Sequence, residues 1–129
     1  MPRKISTKGL KKKAWSVFSE YIRKRGADEN GYTYCCSCGQ RNHWRNLQAG
    51  HYYHGHSKQS FFDEINVHSQ CVKCNHYLSG NLIEYTRFMQ DKYTKEQLEN
   101  LRLRSKQILK LGRADLEAII KKYSNGGAE

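Results

Sequence analysis

Two Cys-x-x-Cys pairs, Cys35/Cys38 and Cys71/Cys74, lie 32 residues apart in a chain of 129. A turn of this kind brings two sulfurs within reach of one ion, and two such turns supply the four thiolates of a tetrahedral structural zinc. The fifth cysteine, Cys36, fits that turn poorly and is left out of the ligand set. An odd cysteine count without a secretory leader argues against a disulfide framework. Between the pairs, "QAGHYYHGH" (Gln48–His56) holds three of the six histidines, His51, His54 and His56. If sulfur satisfies the zinc, these imidazoles are free for other chemistry, and a zinc hydrolase with histidine ligands is disfavoured because a four-thiolate site is closed. A neutral imidazole can take a proton from water near pH 7. A carboxamide oxygen, such as that of Asn75 directly after Cys74, suits a hard dication. Asn75 is alternatively a helix N-cap, and Asn66, five residues before Cys71, is alternatively a plain turn residue.

The order His51, Asn66, Cys71-x-x-Cys74, Asn75 resembles the HNH, or ββα-metal, nucleases. "CCSCG", "AGHYY", "NVHSQCVKCN" and "SGNLIEY", at these spacings, are similar to one branch, the phage lambda NinG (Rap) recombination endonuclease family. The match is strongest over Cys35–Tyr85 and extends more weakly into both flanks. The resemblance implies an α+β fold: a small zinc-braced ββα-metal core flanked by a basic N-terminal helix and C-terminal helices. It implies hydrolysis of branched DNA such as Holliday junctions and D-loops, leaving 5′-phosphate and 3′-hydroxyl ends. It assigns His51 as general base, Asn66 as a brace for the loop between the strands, and Asn75 as ligand of a catalytic Mg²⁺ or Mn²⁺. His54, His68, Ser79 and Asn81 are candidates for supporting positions around that site. Many HNH members place Asp or His before the base; here the residue is Gly50, which suggests Asn75 as the sole protein ligand. His54 and His56 are candidates for a second, softer ligand with more affinity for Mn²⁺, or for phosphate contact. Longer family members carry an additional N-terminal segment that this chain is expected to lack.

These residues need a scaffold. Leu10, Ala14, Trp15, Phe18, Tyr21 and Ile22 form a helical stripe over residues 8–25, with Gly26 at the C-cap after a flexible basic tail at 1–7. Residues 33–92 form the zinc-bound core, with short strands, an alternating segment at Val67–Cys71, and a helix running on from Asn75. Leu82, Tyr85, Thr86, Met89 and Tyr93 share one helical face. Residues 94–124 are the C-terminal helices. Thr94 and Gln97 have the spacing of a capping box, Asp115 caps a helix carrying Leu116, Ile119, Ile120 and Tyr123, and "SNGGAE" is a frayed tail. All 129 residues are read as one domain.

Lys plus Arg number 23 against 12 acids, a formal charge of +11. Residues 1–25 hold nine of those bases and one acid, Glu20. Such asymmetry points to a polyanion, and DNA is preferred over an anionic membrane because the basic stretch carries only a moderate apolar stripe. Candidate DNA contacts are Lys11, Lys12, Lys13, Arg23, Lys24 and Arg25 on the first helix, with Arg41, Arg45 and Lys58 near the site. Trp44, Tyr52 and Tyr53 are available to stack on unpaired bases or to pack internally. No base-reading recognition helix is evident, which favours structure-selective or nonspecific binding. No apolar run spans a bilayer, so a soluble intracellular protein is expected; the family resemblance implies the cytoplasm of a phage-infected bacterium. A homodimer is expected for junction resolution, through the apolar faces of Leu98, Leu101, Ile119 and Ile120. The alternative is a non-catalytic zinc module that binds nucleic acid through its basic helix.

Overall fold

The computed structural model describes residues 4–124. The order is α1 (Thr7–Lys24), β1 (Tyr32–Tyr34), β2 (Arg41–His43), a 3₁₀ turn (Trp44–Asn46), β3 (Gln48–His51), β4 (Val67–Gln70), a π-helical turn (Lys73–Tyr77), α2 (Leu82–Lys92), α3 (Lys95–Arg104) and α4 (Arg113–Ser124). The fold is mixed α+β, with two antiparallel two-stranded sheets, β1–β2 and β3–β4. In β3–β4 the pairs are Gln48–Gln70, Ala49–Ser69, Gly50–His68 and His51–Val67. Because side chains alternate along a strand, His51 and Ala49 face one side and Gly50 and Gln48 the other.

α1 begins at Ser6, whose Oγ accepts the Gly9 N–H at 3.0 Å. Residues 1–3 of the expected tail, and 125–129 of the expected frayed terminus, lie outside the described residues. The helix ends at Arg25, but Gly26 is not left-handed and does not cap it as expected. Leu10, Ala14, Phe18 and Ile22 are buried. They pack with Leu116 and Tyr123 of α4 and with Val67 of β4. The C-terminal elements start as their sequence predicts. Thr94 Oγ1 accepts the Gln97 N–H while Gln97 Oε1 accepts the Thr94 N–H, and Asp115 Oδ2 accepts the Gly112 N–H before α4.

One expected helix is interrupted. The helix after the second cysteine pair is not continuous from Asn75. The π-helical turn stops, and Ser79, Gly80 and Asn81 all adopt positive φ before α2 begins at Leu82. Leu82 is therefore exposed, and Tyr85 and Met89 carry the buried face. The proposed dimer faces are also used within the chain. Leu101 is fully buried with Tyr85 and Met89, Leu98 packs beside them, and Ile119 and Ile120 pack on Leu10, Ala14 and Leu116. Among the described residues no helix is long and apolar enough to cross a membrane.

Phe18 is fully buried and meets Phe62 and Tyr123 edge-on at ring distances of 5.6 and 4.8 Å. Phe18→Ala should cost about 3–5 kcal/mol of unfolding free energy, measurable by denaturant titration at saturating zinc.

Candidate active site and metal centre

The four expected cysteines converge. One sulfur from each of Cys35, Cys38, Cys71 and Cys74 lies within 4.8 Å of all the others. Cys38 and Cys71 sulfurs are 3.7 Å apart. A Zn–S bond of about 2.3 Å requires tetrahedral S–S edges of about 3.8 Å, so the donor set fits a structural zinc in chemistry and in size. Backbone N–H groups of Cys38 and Cys74 point at the sulfurs of Cys35 and Cys71, at 3.5 and 3.4 Å. Asn81 Nδ2 lies 3.4 Å from Cys74 Sγ. Asn81 thus serves this cluster and not the histidine. Burial pushes the Cys74 thiol up to about 12, with neighbouring sulfurs adding to the effect; a bound dication would reverse that balance. Cys36 stays outside the cluster, its thiol also pushed up to about 12 by burial.

His51 ends β3 with its ring packed on two others that also touch each other, Trp15 and Phe61 being 5.1 Å apart. Trp15 stacks at 4.8 Å and 17°, and Phe61 at 4.7 Å and 26°. Its Nε2 is 3.0 Å from the Phe61 carbonyl oxygen. Since a carbonyl only accepts, Nε2 carries the proton and Nδ1 keeps its lone pair. Burial, then the nearby His54 and His56, lowers the His51 pKa to about 4. The ring is therefore neutral at pH 7, fixed in one tautomer, and has one basic nitrogen free.

Asn66 is fully buried and ties the β3–β4 loop together. Its Nδ2 donates to Tyr53 O and Ser60 O, both at 2.9 Å, and its Oδ1 accepts the Tyr53 N–H at 2.8 Å. Asn75 sits inside the π-helical turn, not at a helix start, and its side chain caps nothing. Its Nδ2 donates to Gln48 Oε1 at 2.8 Å. This fixes the amide and leaves Oδ1 as the atom turned toward Gly50: a Cβ on Gly50 would lie 2.9 Å from it. Asn75 also lines a cavity of about 380 Å³ with Gln48, Arg23 and the same Trp15 that stacks on His51. A carboxamide oxygen held by a partner on its nitrogen suits a hard cation such as Mg²⁺ or Mn²⁺, but this one lies on the Gln48–Gly50 side of β3 and not on the side to which His51 points.

Other expected site residues separate. His68 lies across from Gly50 on the side away from His51, and is only 5% exposed. Its Nδ1 is 3.1 Å from Tyr85 Oη and its Nε2 2.8 Å from Tyr93 Oη. Burial lowers its pKa to about 2, with Arg25 and Lys92 adding to the effect. Ser79 is an exposed turn residue. His54 is exposed, 6.4 Å from His51 between ring centres, and His56 packs tilted at 34° beside Phe61 at 5.1 Å. Tyr52 and Tyr53 pack beside α2, with Tyr52 Oη 2.7 Å from Thr86 Oγ1.

The bases divide as well. Arg25 holds the backbone carbonyls of Glu64 and Val67, at 3.0 and 2.7 Å, and so acts as a structural clamp. Lys11 Nζ donates to His56 O at 2.7 Å. Arg41 pairs with Asp28 at 3.2 Å, and Lys58 lies beside Gly55 in an isolated backbone bridge with Ile108. Arg23, Lys24 and Arg45 surround the Trp44 ring, at 5.2, 4.6 and 4.7 Å. Lys12 and Lys13 are exposed.

Sequence reasoning missed Trp15 and Phe61 as partners of His51, because one sat in a core stripe and the other in a loop. It also missed why position 50 is glycine. A Cβ there would come within 1.8 Å of Gln70 Oε1.

A family model described as Bacteriophage Lambda NinG protein matches residues 3–127. Relatives named Protein ninG come from Escherichia phage 933W (40% identical), Salmonella phage P22 (40%) and Escherichia phage lambda (39%), each over 77 residues. These alignments cover 57% of this chain but only 34–35% of each relative, so the match spans about a third of their length. No solved structure gives a significant match.

Two outcomes test this geometry. Removing zinc with a strong chelator should unfold the segment between the cysteine pairs, seen as loss of amide protection over residues 33–80 and its return when zinc is restored. Gly50→Ala should lower stability by about 1–3 kcal/mol through overpacking, measured by thermal melting of zinc-loaded protein.

Proposed function

The chain belongs to the bacteriophage lambda NinG family, and we propose that it is an HNH-type, metal-dependent endonuclease that cuts branched DNA. One observation carries the proposal: His51 is held neutral in a single tautomer against Trp15 and Phe61, with no hydrogen bond to Nδ1 among the described residues. A neutral imidazole with a bare nitrogen can take a proton from water, although a pKa of about 4 makes it a weak base. His51 is half-buried and Nδ1 is not among the buried atoms left without a partner, so this nitrogen is open to a water molecule. The element order β3, β4, helical turn, with Asn75 in the turn, supports the ββα-metal reading.

In this reading His51 Nδ1 takes the proton from the attacking water. The Phe61 carbonyl holds the Nε2–H and stabilises the imidazolium that forms. Asn66 keeps the loop from β3 to Phe61 in register, so the carbonyl stays aimed at the ring. Asn75 Oδ1 would hold Mg²⁺ or Mn²⁺, which when bound would supply charge neutralisation at the phosphate and at the departing 3′ oxygen. Zinc would hold only the scaffold. Phosphate-level affinity would come from Lys12, Lys13, Arg23, Lys24 and Arg45, without base readout. A homodimer would cut both strands of a junction. A non-catalytic zinc module shares the charge and the cysteines, but gives the free Nδ1 no use.

The test compares wild type, His51→Ala and Asn75→Ala on a labelled four-way junction and a linear duplex with Mg²⁺ or Mn²⁺. His51→Ala should lower the cleavage rate by about 10²–10⁴-fold while zinc content and DNA binding persist. Undiminished cutting by this variant would remove His51 from the chemistry. The pH profile is a separate check. A base works when unprotonated, and the lowered pKa of about 4 keeps His51 unprotonated far below the usual histidine range. The rate should therefore not fall through pH 6.5 on acidification; a decline of tenfold per unit starting there would mean the ring is solvated.

A further inference from the structure

We propose that a groove lined by Trp15 and Phe61, at the Lys8–Lys12 end of α1, holds an unpaired nucleotide of the DNA strand beside the phosphate to be cut. The inference rests on the endonuclease reading and names a substrate feature for it. The groove has a volume of about 520 Å³ and is lined by Lys8, Lys11, Lys12, Trp15, His56 and Phe61, within the range of about 300–1,000 Å³ for small-molecule sites. Lys8, Lys11, Lys12 and Trp15 are spaced i, i+3, i+4 and i+7, so α1 presents them on one face. No acid lines it.

The parts have distinct uses. Trp15, which lines the groove, offers aromatic surface on which a base can stack, and Phe61, 5.1 Å from it and already covered by His51 and Lys11, forms the adjoining wall. Lys11 is already committed: its Nζ holds the His56 carbonyl and lies 5.0 Å from the Phe61 ring centre, so it closes one wall. Lys8 and Lys12 are exposed and make no ion pair among the described residues, which leaves two charges for phosphate. They stand one turn apart, about 6 Å along the helix. A base paired inside a duplex keeps its faces covered by its neighbours and cannot enter; an unpaired base can. The location ties the groove to the chemistry, because the two aromatic rings that line it are the two that pack on His51. Selectivity for branched DNA would then arise from the need for an unstacked nucleotide next to the cut.

The chain has two tryptophans, so Trp44→Phe leaves Trp15 as the only indole. Zinc-loaded Trp44→Phe protein is titrated at pH 7.5, without catalytic metal, with a short oligothymidylate and with a blunt duplex, each carrying a terminal dye for anisotropy. The oligothymidylate should quench Trp15 emission and the duplex should not. Adding Lys8→Gln and Lys12→Gln should reduce the slope of log affinity against log salt for the oligothymidylate by about 1.4, at about 0.7 per lost phosphate contact. Binding seen by anisotropy with unchanged Trp15 emission overturns the groove, as does equal quenching by duplex. Cleavage of a four-way junction by zinc-loaded wild type with Mg²⁺ or Mn²⁺ scores the nuclease reading separately: quenching without cutting counts against that reading, and cutting without quenching counts against the groove.

Discussion

The closure of four sulfurs into one cluster is the constraint on which the rest depends. Residues 33–80 bury few large apolar side chains, chiefly Leu47, Phe61 and Val67. Metal ligation is worth about 10–16 kcal/mol in small zinc-dependent folds, enough to replace a core of that size. The closure also sets geometry. It brings the chain before β2 against the end of β4, where the Cys36 N–H meets Ser69 O at 2.9 Å and Gln70 Nε2 meets Ser37 Oγ at 2.8 Å. Asn75 directly follows the last ligand, so the same closure delivers it to Gln48 on β3.

The second support is α1, which has two tasks on adjoining faces. Phe18 and Ile22 bind it to α4 and Val67, while Trp15, just off that stripe, covers His51. The packing that stabilises the helix therefore also sets the environment of the imidazole. Desolvation by these rings keeps His51 neutral, and the Phe61 carbonyl selects which nitrogen is bare. The neutrality comes mainly from apolar packing, with His54 and His56 adding to it, and the bare nitrogen from one backbone hydrogen bond.

Features written in short sequence windows were legible. The two Cys-x-x-Cys turns, the α1 stripe and the Thr94–Gln97 capping box depend on residues within a few positions of each other, and the structure contains all three. Features set by tertiary contact were not. The strand parity of His68 depends on the β3–β4 register, which places it opposite Gly50 and beneath Tyr85 and Tyr93. Arg25 reads as one more surface base until the Glu64 and Val67 carbonyls are seen beside it. The break before α2 needs three successive left-handed residues, two of them not glycine, and composition gives no sign of that. Leu98 and Leu101 look surplus only while α2 and α3 are considered apart.

The β3 strand is gripped from both sides just before His51. On the side away from α1, a chain of hydrogen bonds runs from Tyr93 Oη to His68 Nε2, from His68 Nδ1 to Tyr85 Oη, and from Tyr85 Oη to Gly50 O at 2.7 Å. One donor order satisfies every link: Tyr93 donates to His68, His68 to Tyr85, and Tyr85 to the carbonyl. A protonated His68 would break that order, and burial keeps it neutral. The same face explains the glycine at position 50. The Gln70 amide, held by Ser37 and by Gly80 O at 2.7 Å, occupies the space a side chain would need. No ligand can extend from position 50 without displacing it. If a catalytic cation binds as proposed, Asn75 supplies the protein contact from the Gln48–Gly50 side of β3, and water must complete the rest of the shell, as Mg²⁺ prefers.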